Sequence, residues 1–88
     1  MKRRSVTEVL TVGMQRSGVG LPLVEIAGDC RVLVERHRGV LAYDHRKICI
    51  RLNFGVLQVC GCDLSIAHMT KAQLVIIGQI QTVVLQRS

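Results

Sequence analysis

The chain has 88 residues, of which 49% are apolar, with one tyrosine, one phenylalanine and no tryptophan. This length allows one domain, and this apolar share excludes a disordered tail. Twelve lysines and arginines against six acidic residues give a net charge of +6, which attracts nucleic acid, anionic lipid or acidic protein without selecting among them.

The first 17 residues predict a short amphipathic helix. Val6, Val9, Leu10 and Met14 recur at helical spacing, and Glu8 lies in the first turn. The basic opening is not followed by the apolar core of a secretory signal, and no apolar run reaches the ~18 residues needed to span a bilayer. We therefore expect a cytoplasmic protein with no transmembrane segment of its own.

From residue 21 onward the apolar residues alternate with a period of two, which predicts β-strands separated by turns. Gly28-Asp29 is a turn pair, and residues 36–39 are interpreted as the turn of a hairpin. Strands are predicted over residues 23–27, 31–35, 48–52, 56–60, 64–66, 74–77 and 79–85.

These predictions divide the chain into an N-terminal amphipathic segment, residues 1–20, and a single all-β domain, residues 21–88. We expect a compact roll, a meander or a small barrel of seven to eight short strands, with a short solenoid as the alternative.

Two stretches of the domain repeat each other. Leu-x-Val-x-Gly at residues 57–61 recurs 17 residues later as Leu-x-Ile-x-Gly at residues 74–78. In both places the glycine predicts a β-bulge or a sharp bend, because a residue without a Cβ lets the chain turn a corner. Gly61 and Gly78, together with Gly55, are therefore predicted to be backbone pivots.

The chain has four cysteines, Cys30, Cys49, Cys60 and Cys62. Their irregular spacing and a reducing cytoplasm predict free thiols. Cys60 and Cys62 would share one face of a regular strand, and His45, Cys49 or His68 would complete a zinc site. Zinc sites usually use Cys-x-x-Cys pairs, which this chain lacks, so a bent strand with small buried thiols is favoured and no metal or cofactor is expected.

The titratable residues form no catalytic pattern. The histidines lie in predicted turns or at strand ends, the six acidic residues are scattered, and no glycine-rich loop opens a helix. We expect a protein that is not an enzyme and has no catalytic residue.

Three basic groups are candidates for one positive edge: Lys2-Arg3-Arg4, Arg36-His37-Arg38 and His45-Arg46-Lys47. Nucleic-acid binding by a β-sheet normally adds aromatic platforms for base stacking, and Tyr43 and Phe54 are the only two candidates. Solvated charges that protect a sheet edge are the favoured interpretation. A basic nucleic-acid or anionic-surface binding module is the alternative.

Several strand patterns occur together in the order of a known family. They are Leu21-Pro22, Glu35-x-His37-x-Gly39, Ile48-x-Ile50 followed by Gly55, Leu57-x-Val59-x-Gly61-x-x-Leu64-x-Ile66 and Leu74-x-Ile76-x-Gly78-x-Ile80-x-x-Val83. In this order and spacing, residues 21–85 resemble the YabP/YqfC family of sporulation proteins, and the overall length is similar to that of the YqfC-like branch.

The resemblance implies a protein of endospore-forming bacteria that acts in the mother cell, in the cytoplasm or peripherally at the forespore membrane. No catalytic activity is attributed to the family. YqfC-like members look like partners of a larger membrane-associated sporulation protein, and YabP-like members are tied to spore envelope or coat assembly. We therefore expect a non-enzymatic structural or interaction module with such a partner, and a homo-oligomer is a further expectation.

The resemblance adds a shaped hairpin turn to the three glycine pivots, so the structural or interaction candidates are Glu35, His37, Gly39, Gly55, Gly61 and Gly78. The chain also departs from the family pattern. Arg36 replaces the usual asparagine, Cys60 and Cys62 stand where polar residues are common, and the first 20 residues match poorly. A thiol function specific to this lineage therefore stays open.

Overall fold

A computed structural model describes residues 20–88, and the predicted N-terminal helix lies outside them. The described residues form six strands, which are β1 (Leu23–Ala27), β2 (Arg31–Glu35), β3 (Val40–Asp44), β4 (Lys47–Leu52), β5 (Gly55–Met69) and β6 (Gln73–Arg87). They pair in one antiparallel sheet of order β1-β2-β6-β5-β4-β3. This confirms the all-β prediction.

The predicted strand count of seven to eight is wrong, because two pairs of predicted strands each form one long strand. Residues 56–60 and 64–66 both belong to β5, and residues 74–77 and 79–85 both belong to β6. Gly61 and Gly78 bend these strands without ending their pairing. The sheet is also not closed into a barrel, since β1 and β3 are its edges.

The two long strands divide the sheet into two halves. β2 pairs with the beginning of β6, and β4 pairs with the beginning of β5. The β1 half comprises β1, β2 and residues 61–69 and 73–80. The β3 half comprises β3, β4 and residues 55–60 and 82–87. Register shifts between Cys60 and Gly61, and again between Cys62 and Ser65, separate the halves and bend the strands.

One hydrophobic core joins both halves. Within β2, β4 and β6 its members are two residues apart, so they lie on one face of the sheet. A single layer would leave this face in water, so a shared core means that the inner faces of the halves cover each other. The β1 half supplies Val32, Val34, Leu64, Leu74 and Ile76, and the β3 half supplies Ile48, Ile50, Leu52, Leu57 and Val59.

The β1–β2 connection is a hairpin, as the Gly28-Asp29 pair predicts. The interpretation of residues 36–39 as a hairpin turn is wrong, because β2 and β3 lie in different halves and are not neighbours. Residues 36–39 instead form a crossover that carries the chain from one half to the other. Within residues 20–88 no helix is long and apolar enough to cross a membrane.

Candidate interaction site

The crossover is held by His37, which is buried with 7% of its surface exposed. The Gly39 amide donates to His37 Nδ1 at 3.0 Å, and Nε2 lies 2.8 Å from the carbonyl oxygen of Thr70. Since an amide can only donate, Nδ1 accepts, and the ring proton is on Nε2 and is donated to Thr70. His37 therefore ties the crossover to the turn between β5 and β6.

The β5–β6 turn is itself closed by Thr70. Its Oγ1 accepts hydrogen bonds from the amides of Ala72 at 3.2 Å and Gln73 at 3.0 Å. Gln73 Nε2 in turn donates to Glu35 Oε2 at 3.3 Å. Glu35, His37 and Gly39 are thus brought together around this turn. The sequence does not identify Thr70 and Gln73 as site residues, because their partners His37 and Glu35 are 33 and 38 positions away and no sequence pattern links them.

Arg36 has a left-handed backbone conformation, with φ at 61°. Its amide donates to the carbonyl oxygen of Ala72 at 2.6 Å, and its Nη1 donates to that of Leu21 at 3.3 Å. Asparagine adopts this conformation more readily than arginine does. Asparagine at this position would therefore relieve backbone strain.

A shallow depression of about 680 Å³ lies between the crossover and the β5–β6 turn. Arg38 and Lys71 are exposed on its wall, and Met69, half of whose surface is exposed, supplies an apolar patch. The Arg38 amide donates to the carbonyl oxygen of Arg51 at 2.7 Å, which brings a third exposed basic residue to this end of β4. The depression therefore offers a partner both positively charged side chains and an apolar surface.

The basic groups do not form one edge within the described residues. The crossover lies at the Leu52 end of β4, whereas His45 and Arg46 form the turn at the other end and Lys47 begins the strand, about 16 Å away for a six-residue strand. Tyr43 pairs with Ile48 near that turn, whereas Phe54 follows Leu52, so the two aromatic rings are also separated. Residues 2–4 lie outside the described residues.

The three candidate pivots are places where two backbones approach closely. A Cβ on Gly61 would meet the carbonyl oxygen of Gln79, and a Cβ on Gly55 would meet that of Gln86. A Cβ on Gly78 would lie 2.6 Å from the carbonyl oxygen of Asp63, and Gly78 also has φ at 139°. The register shift beside Gly61 leaves Gln81 of β6 as the extra residue, so the bulge is on the strand opposite Gly61.

The cysteines are free thiols in the structure. Cys30 is exposed, Cys49 is buried, and Cys60 and Cys62 are half-buried. Burial alternates without a break from Gly55 to Cys62, so Cys60 and Cys62 lie on the same face of β5, the face opposite the core. Among residues 20–88, no three or more His, Cys, Asp or Glu side chains come together as metal ligands.

Within residues 20–88 the folded sheet has four open edges, two in each half. In the β1 half they are β1 and residues 65–69 of β5, and in the β3 half they are β3 and residues 82–87 of β6. Register shifts interrupt β3 and the second part of β5. β1 and residues 82–87 are regular. Bulged edges are poor templates for another strand, whereas regular edges leave rows of unpaired backbone groups.

Comparison with known proteins gives one result. No curated protein and no solved structure gives a significant match to the chain. The model of the YabP family matches residues 22–88, which is most of the chain and all six strands. This protein therefore belongs to the YabP family.

Proposed function

We propose that this protein is a non-enzymatic interaction module of spore morphogenesis that acts on the mother-cell side, in envelope or coat assembly. Membership of the YabP family indicates a sporulation-related protein. The open sheet is the observation that carries the proposal, because its regular edges offer backbone donors and acceptors for strand addition.

The proposed partner is a membrane-associated sporulation protein, which would place the chain peripherally at the forespore membrane. The depression beside the crossover supports this role. Arg38 and Lys71 would contact an acidic segment of the partner, and Met69 would contact an apolar side chain of it. The YqfC-like branch, which the length favours, is part of the same proposal.

The separated basic groups favour a protein partner over nucleic acid. A β-sheet that binds single-stranded nucleic acid follows the backbone with a continuous basic groove and stacks bases on aromatic rings. Here the two described basic groups lie at opposite ends of β4, and Tyr43 and Phe54 do not form one platform. Binding to nucleic acid would be tested by its salt dependence, which is steep when phosphates are neutralised.

The test is complementation in an endospore-forming host that lacks its own copy of this gene. We expect the deletion to produce defective spores with normal vegetative growth, and the wild-type chain to restore them. The double variant Arg38→Glu/Lys71→Glu should fail to do so. Arg46→Glu/Lys47→Glu, with the same charge change at the other end of β4, should restore normal spores.

Each result bears on a separate part of the proposal. Normal spores after deletion would overturn the role in sporulation. Equal loss in both double variants, at equal protein level, would mean that net charge matters and the crossover depression does not. Restoration by both would remove the depression as the partner site.

A further inference from the structure

We propose that residues 82–87 of β6 form a symmetric interface, in which this strand pairs in antiparallel fashion with the same strand of a second copy. This inference deepens the proposed function by naming one surface and its occupant. It begins from the sequence of the edge, Thr-Val-Val-Leu-Gln-Arg, which contains no proline, glycine or acidic residue. A regular edge of this composition favours pairing with another strand.

The backbone groups that face outward are fixed by the pairing with β5. The Ser88 amide donates to the carbonyl oxygen of Phe54, which precedes β5. Pairing is regular from Arg87 back to Thr82, so the backbone amides and carbonyls of Gln86, Val84 and Thr82 also point toward β5. The amides and carbonyls of the residues between them therefore point away from β5, and these residues are Val83, Leu85 and Arg87.

A twofold axis through Val84 makes this edge complementary to itself. Val84 then lies opposite Val84 of the second copy, and Leu85 lies opposite Val83 in a hydrogen-bonded pair. Thr82 lies opposite Gln86, which pairs polar side chains. Arg87 does not face its own copy in this register, so no like charges lie opposite each other.

The side chains at this edge are exposed on both faces of the sheet. Val84 has 46% of its surface exposed on the outer face, and Leu85 has 55% exposed on the core face. Leu85 also lines a depression of about 600 Å³ with Leu21 and Phe54, so residues 20–88 leave the core open beside this edge. A second copy would place its Val83 against Leu85 and continue the core across the interface.

The other regular edge, β1, does not have this self-complementarity. Antiparallel pairing of β1 with its own copy over its full length places Glu25 opposite Glu25, because Glu25 is the middle residue of the strand. Like charges directly opposite each other destabilise a strand pair. The β6 edge is therefore the one suited to a second copy.

The register supplies a charge-swap test on the full chain. The expected result is a wild-type dimer in sedimentation equilibrium, with a dissociation constant raised at least about tenfold by Val84→Lys alone and by Val84→Glu alone. An equal mixture of the two variants should form a heterodimer, because opposite charges then meet across the twofold axis.

Matched controls use the same substitutions at Ile77, an outer-face residue of β6 in the β1 half with 41% of its surface exposed. Ile77→Lys and Ile77→Glu should dimerise like the wild type. Circular dichroism and thermal unfolding at low protein concentration identify any variant that fails to fold. If a charged Val84 variant fails to fold, the neutral polar variant Val84→Gln replaces it.

A wild-type protein that is monomeric at all concentrations would overturn the interface, and this is the result expected if another segment or partner covers the edge. Val84 variants that dimerise like the wild type would overturn it as well. Failure of the mixture to recover the dimer would overturn the register through Val84. These results are independent of the spore phenotype, so the dimer and the proposed function can fail separately.

Discussion

Gly61 and Gly78 make equivalent contacts with the two hairpins of the folded sheet. The Gly61 amide donates to the carbonyl oxygen of Arg46 at 3.0 Å, and the Gly78 amide donates to that of Cys30 at 3.2 Å. Arg46 lies in the turn between β3 and β4, and Cys30 lies in the turn between β1 and β2. The repeat that is visible in the sequence therefore corresponds to a repeated arrangement, in which a hairpin docks against a long strand at a glycine.

Alanine at Gly61 or Gly78 is expected to destabilise the fold strongly. The added Cβ would overlap a backbone carbonyl oxygen of the neighbouring long strand, and backbone atoms within a paired sheet cannot move aside. We expect each variant to lower the free energy of unfolding by about 3 kcal/mol or more, as measured by urea denaturation.

Gly28→Ala is the matched control for both glycines. Gly28 has a left-handed backbone conformation with φ at 56°, comparable to the positive φ of Gly78 and more demanding than the backbone of Gly61, but nothing lies within 4 Å of its added Cβ. This variant should lose only about 1–2 kcal/mol, which is the cost of the backbone conformation alone. Equal losses in the three variants would mean that close backbone approach is not the reason for glycine at 61 and 78.

Replacement of His37 by alanine is expected to loosen the crossover. The variant leaves the Gly39 amide and the Thr70 carbonyl without their partners, and the expected loss of stability is about 2 kcal/mol. His45→Ala removes an exposed histidine and should change stability by less than about 0.5 kcal/mol.

The tautomer of His37 gives a second measurement. Nitrogen-15 NMR of the wild type should detect a neutral ring with its proton on Nε2, because Nδ1 accepts from Gly39. A proton on Nδ1 would contradict the hydrogen bonds assigned to this ring.

Local features of this fold can be predicted from the sequence, and contacts between distant residues cannot. Alternating apolar residues and the Gly28-Asp29 pair identify the first hairpin, because a short turn brings adjacent segments together. Gly61 and Gly78 lie beside register shifts within the long strands, and the sequence alone does not distinguish an irregularity within one strand from a break between two.

The same distinction between local features and distant contacts applies to the interaction site. His37 and Thr70 are 33 residues apart, and their contact depends on the crossover placing β2 beside β6. A turn between consecutive strands is the simplest interpretation of residues 36–39, and it fails because β6 takes the place beside β2 that β3 would occupy in a hairpin. The open edge at residues 82–87 also depends on this topology.

Arg36→Asn is expected to stabilise the protein. Asparagine tolerates the left-handed conformation at φ 61° better than arginine, and the hydrogen bond that is lost, from Nη1 to Leu21, is long and exposed. We expect a gain of about 0.5–1 kcal/mol in the free energy of unfolding, measured by urea denaturation. Arg38→Asn, at an exposed residue with normal φ, should give no gain.

The thiols are expected to react in the order of their exposure. Cys30 should be modified first by a thiol reagent, Cys60 and Cys62 more slowly, and Cys49 only when the protein unfolds. Mass spectrometry of partly modified native protein would establish this order. If Cys60 and Cys62 were instead modified before Cys30, a reactive role for these two thiols would be indicated.

The double variant Cys60→Ser/Cys62→Ser separates packing from metal binding. Both side chains are half-buried, so we expect a loss of no more than about 1 kcal/mol. Wild-type protein purified without chelator should contain less than stoichiometric zinc, because within residues 20–88 no group of three or more potential metal ligands includes these cysteines. Stoichiometric zinc that is lost in the double variant, together with a large loss of stability, would contradict the interpretation of these cysteines as packed thiols.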